Sequence, residues 1–304
     1  MEIRSRQAIY INIFQCISIY IKVLPVIFQF ISIYLFLNIC SRIIYQMEQT
    51  EGIVLRCFDV RETSRLAVFY TRDFGILKGL AKGARKKQKY FGSSLEPFSH
   101  DFISFYKSRT SEVHLIGRCE QKNFYAGIRE NILKSSFAIY WMEIIQELIE
   151  DKDEKLFEFL LESLAYLEKE TVLSPLLLPF FELNLLKLAG YGPVLNHCVS
   201  CKKKSESYKF SPFLGGVICP DCYHKDSRSI EILPNTVMLM NVLTKTQLET
   251  LSRIKAELKL LGQVKGVIHY YLFHSIGKRP KTLKFIDDLK KEKIFTAASY
   301  LAAA

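Results

Sequence analysis

The chain reads as an α+β multidomain protein: a small N-terminal β-barrel, then an α-helical domain with an embedded four-cysteine zinc-binding module. Three observations predict this. Between Gln49 and Gln121, short runs of β-branched and aromatic residues recur. After Asn123 the apolar period becomes helical. Within the helical part, CVSCKKKSESYKFSPFLGGVICPDC, Cys198 to Cys222, carries two Cys-x-x-Cys pairs with 17 residues between them.

The strand-like runs are GIVLRCF, LAVFYT, FGILKGLAKG, FSHDFISFYKS and SEVHLIGRC, separated by VRETSR, RDFG, a basic loop and SRTS. Five strands in about 75 residues suggest a small closed barrel, and an OB-fold has that number. A five-stranded sandwich or an SH3-like barrel would give the same pattern. Cys57 and Cys119 fall in these runs and read as small buried residues.

In the helical part, Phe137, Trp141, Ile144, Ile145, Leu148 and Ile149 share one face of a first helix, which DKDE at 151–154 interrupts. Leu156, Phe157, Phe159, Leu160, Leu164 and Leu167 continue on a second. Ser174-Pro175 is an N-cap and N1 pair for a third, although Pro179 inside it argues for a later start. Gly190 suits its C′ position, with Pro193 beyond. Periodicity resumes from Pro234 to Ser275, with Leu248, Leu251, Ile254, Leu258 and Leu261 on one face. Lys278 to Lys293 is a basic, partly helical end.

Two Cys-x-x-Cys turns supply two thiolates each, and zinc takes four such ligands tetrahedrally. The spacing of Cys198, Cys201, Cys219 and Cys222 lies in the range read as a zinc site. Four thiolates close the shell, so the metal reads as structural rather than catalytic. The competing reading is unliganded thiols or a redox pair, but a thioredoxin-like motif needs a βαβ context that is absent. His197 and His224 flank the site; either could substitute as a ligand, but the preferred reading is neighbouring surface histidines. Lys202, Lys203 and Lys204 make the first turn basic.

From Phe74 to Leu95 there is no acid but there are six bases, Lys78, Lys82, Arg85, Lys86, Lys87 and Lys89, followed by Tyr90 and Phe91. Lys and Arg neutralise phosphates without regard to sequence, and an aromatic ring offers a stacking face to an unpaired base. The segment reads as a single-strand-binding loop. The bland alternative is a solvated loop in which Tyr90 and Phe91 begin a core segment.

The net charge of +11 favours a polyanionic partner, nucleic acid or an acidic membrane surface. Four bases and one acid lie in residues 1–46, so +8 of that charge belongs to the rest. Eight cysteines in 304 residues are too sparse for a secreted disulfide scaffold, and reduced thiols in a cytosol fit better. From Ala8 to Cys40 the chain is almost wholly apolar, long enough for a membrane span, though Lys22 and Pro25 interrupt it. Met47 follows, and the composition becomes that of a globular protein. Residues 1–46 are therefore expected to be a mis-called start or a dispensable extension. Catalytic signatures are lacking: no P-loop, no Gly-x-Ser-x-Gly and no His-Glu-x-x-His occurs.

Four segments resemble the RecO family of bacterial recombination mediators: TEGIVLRCFDVRETSRLAVFYTRDFGILKGLAKGAR, LEPFSHDFISFY, FFELNLLKLAGYGPVLNHCVSC and FHSIGKRPKTLKFIDDL. They run in family order from about Met47 to Leu289. The resemblance implies an N-terminal OB-fold and a helical domain interrupted by the zinc module. It implies binding to single- and double-stranded DNA, annealing of complementary strands, partnership with RecR, contact with the tail of single-stranded DNA-binding protein, and help in loading RecA. It implies no bond-making chemistry. The family begins where Met47 stands.

The expected organisation is a hydrophobic extension (1–46), an OB-fold DNA-binding domain (47–123), a helical domain in two parts (124–197 and 226–293) around the zinc module (198–225), and a tail (294–304). Besides the loop residues, Lys278, Arg279 and Lys281 are expected to contact DNA, so that phosphates of two strands are neutralised at once. The expected location is the cytoplasm, at the nucleoid. Two other readings compete: a membrane-anchored zinc protein using residues 8–40 as a span, and a nucleic-acid enzyme with an unrecognised site.

Overall fold

The computed structural model describes residues 47–291, apart from 61, 87–90 and 92. The expected extension (1–46), its span at 8–40, and the tail (294–304) lie outside the described residues. No helix among those described is long and apolar enough to cross a membrane.

Strands β1 (Met47–Val60), β2 (Ser64–Thr71), β3 (Gly75–Ala81), β4 (His100–Tyr106) and β5 (Val113–Asn123) close a barrel in the order β1-β2-β3-β5-β4. β3 and β5 pair in parallel, while β1 with β2, β2 with β3 and β4 with β5 pair antiparallel. This is the five-stranded OB architecture, and it resolves the sandwich and SH3-like alternatives. Alternation along the strands sends Val54, Ala67, Phe69, Leu77, Ile103, Phe105 and Ile116 inward. The opposite face of the same strands, Ile53, Leu55, Val68 and Tyr70, packs against the helices. The Tyr70 hydroxyl donates to the Asp153 carbonyl at 3.2 Å and accepts from the Asp153 N–H at 3.1 Å. The Arg129 guanidinium lies between the rings of Phe98 and Phe124, at 4.2 and 4.0 Å from their centres.

Helices follow: α1 (Ala126–Arg129), α2 (Ile132–Leu148), α3 (Glu154–Lys169), α4 (Leu177–Leu188), α5 (Pro234–Leu243), α6 (Leu258–Ile276) and α7 (Lys281–Lys291). Asp153 caps α3 by accepting from the Leu156 N–H at 2.9 Å, which explains why DKDE divides two helices. The start of α4 corrects the Ser174-Pro175 expectation. Ser174 forms a preceding turn, its hydroxyl accepting from the Leu176 N–H, and the helix begins at Leu177. Pro179 then sits in the first turn, where its missing N–H costs nothing. Gly190 takes φ +82°, and Tyr191 N–H bonds to Leu186 C=O at 2.7 Å, a Schellman close.

The single apolar face expected from Leu248 to Leu261 does not exist. α5 ends at Leu243, a 3-10 turn spans Leu248–Arg253, and only then does α6 begin. Leu248 and Leu251 are buried from the turn, whereas Leu258 is 84% exposed at the helix start.

α7 is fastened to α2 by one carboxylate: Glu143 accepts from the Lys281 and Thr282 N–H groups at 2.8 and 2.9 Å. A carboxylate at two free N–H groups of a helix start is favoured by both hydrogen bonding and the dipole.

A polar network crosses this otherwise apolar core. Glu182 of α4 is fully buried, and its Oε1 accepts from the Tyr140 hydroxyl at 2.5 Å and lies 3.1 Å from His269 Nε2. Burial opposes the imidazolium, but the Glu182 carboxylate, with Asp287 adding to it and Lys265 opposing, raises the His269 pKa above its ordinary value. The stabilisation from protonated His269 is therefore complete below about pH 6.5, the ordinary value, and is lost as pH rises through the raised one. Wild-type melting temperature should fall across that rise, and His269→Gln should remove this part of the dependence. An identical slope in both proteins would assign the effect to another group.

Candidate metal centre and nucleic-acid interface

The four-cysteine module is built from two knuckles and a small sheet, β7-β6-β8, made of β6 (Tyr208–Ser211), β7 (Gly216–Ile218) and β8 (Ile230–Ile232). In the first knuckle Lys202 N–H returns to Cys198 C=O at 2.9 Å, with Lys202 at φ +64°. In the second, Cys222 N–H returns to Cys219 C=O at 2.9 Å, opening a 3-10 turn at Pro220–Lys225. Val199 N–H bonds to Val217 C=O and ties the knuckles to the sheet. Gly216 is required: a Cβ there would stand 2.4 Å from Val194 O. Buried Asp226 accepts from the Ser211 hydroxyl at 2.5 Å and fixes the turn between β6 and β7.

The sulfurs of Cys198, Cys201, Cys219 and Cys222 all lie within 4.8 Å of one another, and all four thiols are free. Cys201 and Cys219 are 3.6 Å apart. A tetrahedral ion about 2.3 Å from each sulfur would set them about 3.8 Å apart, so the donor set fits a thiophilic cation. Burial works against the Cys198 thiolate, but backbone N–H groups of Cys201, Cys219 and Ser200 bring its pKa down to about 6. Burial and hydrogen bonds with neighbouring cysteines push Cys219 up to about 12. His197 and His224 are not part of the cluster.

The predicted DNA-binding residues divide. Lys82, Arg85 and Lys86 are exposed in the turn that follows β3. Lys82 and Lys86 have no carboxylate partner among the described residues. Arg85 donates to Glu62 O at 3.3 Å and lies 3.8 Å from Asp59. Lys78, on β3, is paired with Glu112 at 2.9 Å. Lys87, Lys89 and Tyr90 lie outside the described residues. Phe91 corrects the stacking expectation: it is 4% exposed and packs inside the barrel with Ala84 and Leu95.

Lys278 and Arg279 precede α7 and are ion-paired, with Glu147 and Asp287, each at 2.7 Å. With Lys281 they line a cavity of about 300 Å³ whose barrel side is Leu55 and Arg56. The fold therefore brings the C-terminal bases to the barrel through Arg56, which the sequence reading had passed over. Arg56 follows a bulge between Val54 and Arg56 and is exposed. Its signal was the apolar-polar alternation of LRCF, but the bulge decides which residues face out.

An OB barrel joined to a helical domain, with a module of four clustered thiols set into that domain, defines the class of protein. Residues 46–125 match the family model described as Recombination protein O N terminal, and residues 129–284 match Recombination protein O C terminal. The DNA repair protein RecO of Alkaliphilus metalliredigens (strain QYMF) is 32% identical over 227 residues, covering 74% of this chain and 92% of that protein. RecO of Syntrophus aciditrophicus (strain SB) is 32% identical over 251 residues, 80% and 96% of the two chains, and RecO of Bacillus subtilis (strain 168) is 31% identical over 250 residues, 81% and 96%. The chain belongs to the RecO family of DNA repair proteins.

Proposed function

We propose that this chain is a non-enzymatic recombination mediator. It binds single- and double-stranded DNA, anneals complementary strands, and helps load RecA onto DNA coated with single-stranded DNA-binding protein, whose tail it contacts, in partnership with RecR. It works in the cytoplasm, at the nucleoid. The observation that carries this reading is the turn after β3, where Lys82, Arg85 and Lys86 stand exposed at the end of an OB barrel. Cations there neutralise phosphates, and lowered repulsion lets two strands approach with their bases free to pair. Lys278, Arg279 and Lys281 supply a second set, their surface ion pairs being weak enough for phosphate to displace. Zinc on Cys198, Cys201, Cys219 and Cys222 crosslinks the small module and supplies no chemistry to a substrate.

The test is annealing of complementary oligonucleotides by the full-length chain over a salt series. The expected outcome is acceleration over the spontaneous rate that declines steeply between about 50 and 200 mM salt. A folded protein that neither binds nor anneals DNA at low salt would remove the proposal.

A further inference from the structure

The burial of Phe91 leaves the barrel without the ring expected to stack on a base, and the strand register supplies another. β1, β2 and β3 place Arg56, Val68 and Lys78 in one cross-strand row and Phe58, Leu66 and Leu80 in the next. Inward neighbours Ala67 and Leu77 belong to the barrel interior, so these rows face out. On the same outer face, Ile53, Leu55, Val68 and Tyr70 are covered by the helices, while the end bearing Phe58 is open. Phe58 is 43% exposed, with the Arg56 guanidinium 4.8 Å from its ring centre. Arg56 has no carboxylate partner among the described residues. The acids bordering these rows are engaged: Glu112 by Lys78 at 2.9 Å and Asp59 by Arg65 at 3.1 Å. Glu143 and Glu147, which line the cavity beside Arg56, are held by the start of α7 and by Lys278.

We propose that Phe58 is the residue that selects single strands: an unpaired base stacks on its ring, flanked by Leu66 and Leu80, with Arg56 on the adjoining phosphate. This rests on the DNA-binding function proposed above and deepens it. Charge complementarity fixes the occupant as a polyanion, since Arg56 lies on one side of the ring and Lys82 and Lys86 follow the end of β3. The ring restricts it further. A duplex hides its base faces in its own stack, so only an unpaired base can use an exposed phenyl group. The half-buried leucines on β2 and β3 widen the platform without adding a hydrogen-bonding group, which makes it indifferent to base identity.

The experiment compares full-length wild type, Phe58→Leu and Phe58→Tyr on an oligothymidine strand carrying one 2-aminopurine and on a duplex of equal length. Phe58→Leu is expected to weaken single-strand binding roughly tenfold, the effect of losing one base-aromatic stack. It should abolish the fluorescence quench and leave duplex affinity unchanged. Phe58→Tyr should restore both single-strand readouts. Equal loss on strand and duplex, or no loss on the strand, overturns the assignment and leaves the Arg56 contact as a shield for an exposed ring. A wild-type chain that binds neither substrate defeats the functional reading itself, and is recognised as such because no variant is needed to see it.

Discussion

Stripping the metal with a strong chelator should unfold residues 198–225 and destabilise the helical domain, while the barrel stays folded. The module's sheet has strands of only four, three and three residues, too few to persist without a crosslink. Metal binding to such sites supplies about 10–16 kcal/mol in finger peptides, enough to decide whether the module folds. Phe210, Val217 and Ile232 reach from this sheet into the main core, where Phe210 meets Tyr271 of α6 edge-on at 5.5 Å. A buried side chain of that size contributes about 1.5–3 kcal/mol, so exposing three costs the helical domain roughly 5 kcal/mol. The melting temperature of that domain should drop by about 10 °C or more. Hydrogen exchange should show lost protection at Tyr208–Ile232 and retained protection in β1–β5. Cys219→Ser should reproduce the effect, and elemental analysis should find about one zinc per wild-type chain. A purified chain without metal that melts identically with and without chelator would rule out a structural ion.

Replacing Lys82, Arg85 and Lys86 together by alanine should reduce the salt dependence of single-strand binding, with the slope of log K against log salt shallower by about 2. Each phosphate contact on a single strand contributes about 0.7 to that slope, so three contacts amount to roughly a hundredfold in affinity between 1 M and 0.1 M salt. Annealing should fall with binding. The side chains are exposed, and the barrel core beneath them, with Ala81 and Ala84 buried, is unchanged by the substitutions. Melting temperature is therefore expected to hold. An unchanged slope would move the DNA to another surface. Lys78→Ala should also make the slope shallower, by about 0.7, because its exposed ion pair with Glu112 at 2.9 Å is weak enough for phosphate to displace.

What the linear chain disclosed depended on how far apart the deciding partners lie. The cysteine spacing is local chemistry, and the four sulfurs do converge. Strand alternation is local too, which is why five runs were recognisable as five strands of a barrel. Phe91 was misread because an aromatic after a basic run looks the same whether it faces solvent or packs into a core. The outward setting of Arg56 and Phe58 was not legible because a bulge sets their direction, and bulges follow from pairing with β2 rather than from β1 itself. The C-terminal bases looked free because Glu147 and Glu143, which engage Lys278 and the start of α7, lie more than 100 residues earlier. The Tyr140, Glu182 and His269 network draws one residue from each of three helices and has no sequence signature.

The clasp between Glu143 and α7 has a consequence for biosynthesis. Its two bonds span 138 and 139 residues, and α7 lays Leu283 and Ile286 into the core. A nascent chain can complete the barrel and α2 long before those residues leave the ribosome. Until they do, the apolar patch awaiting α7 stays open to chaperones. A message truncated shortly before Lys281 would produce a polypeptide with every strand of the barrel in place and an unsealed flank, a ready mark for quality-control proteases.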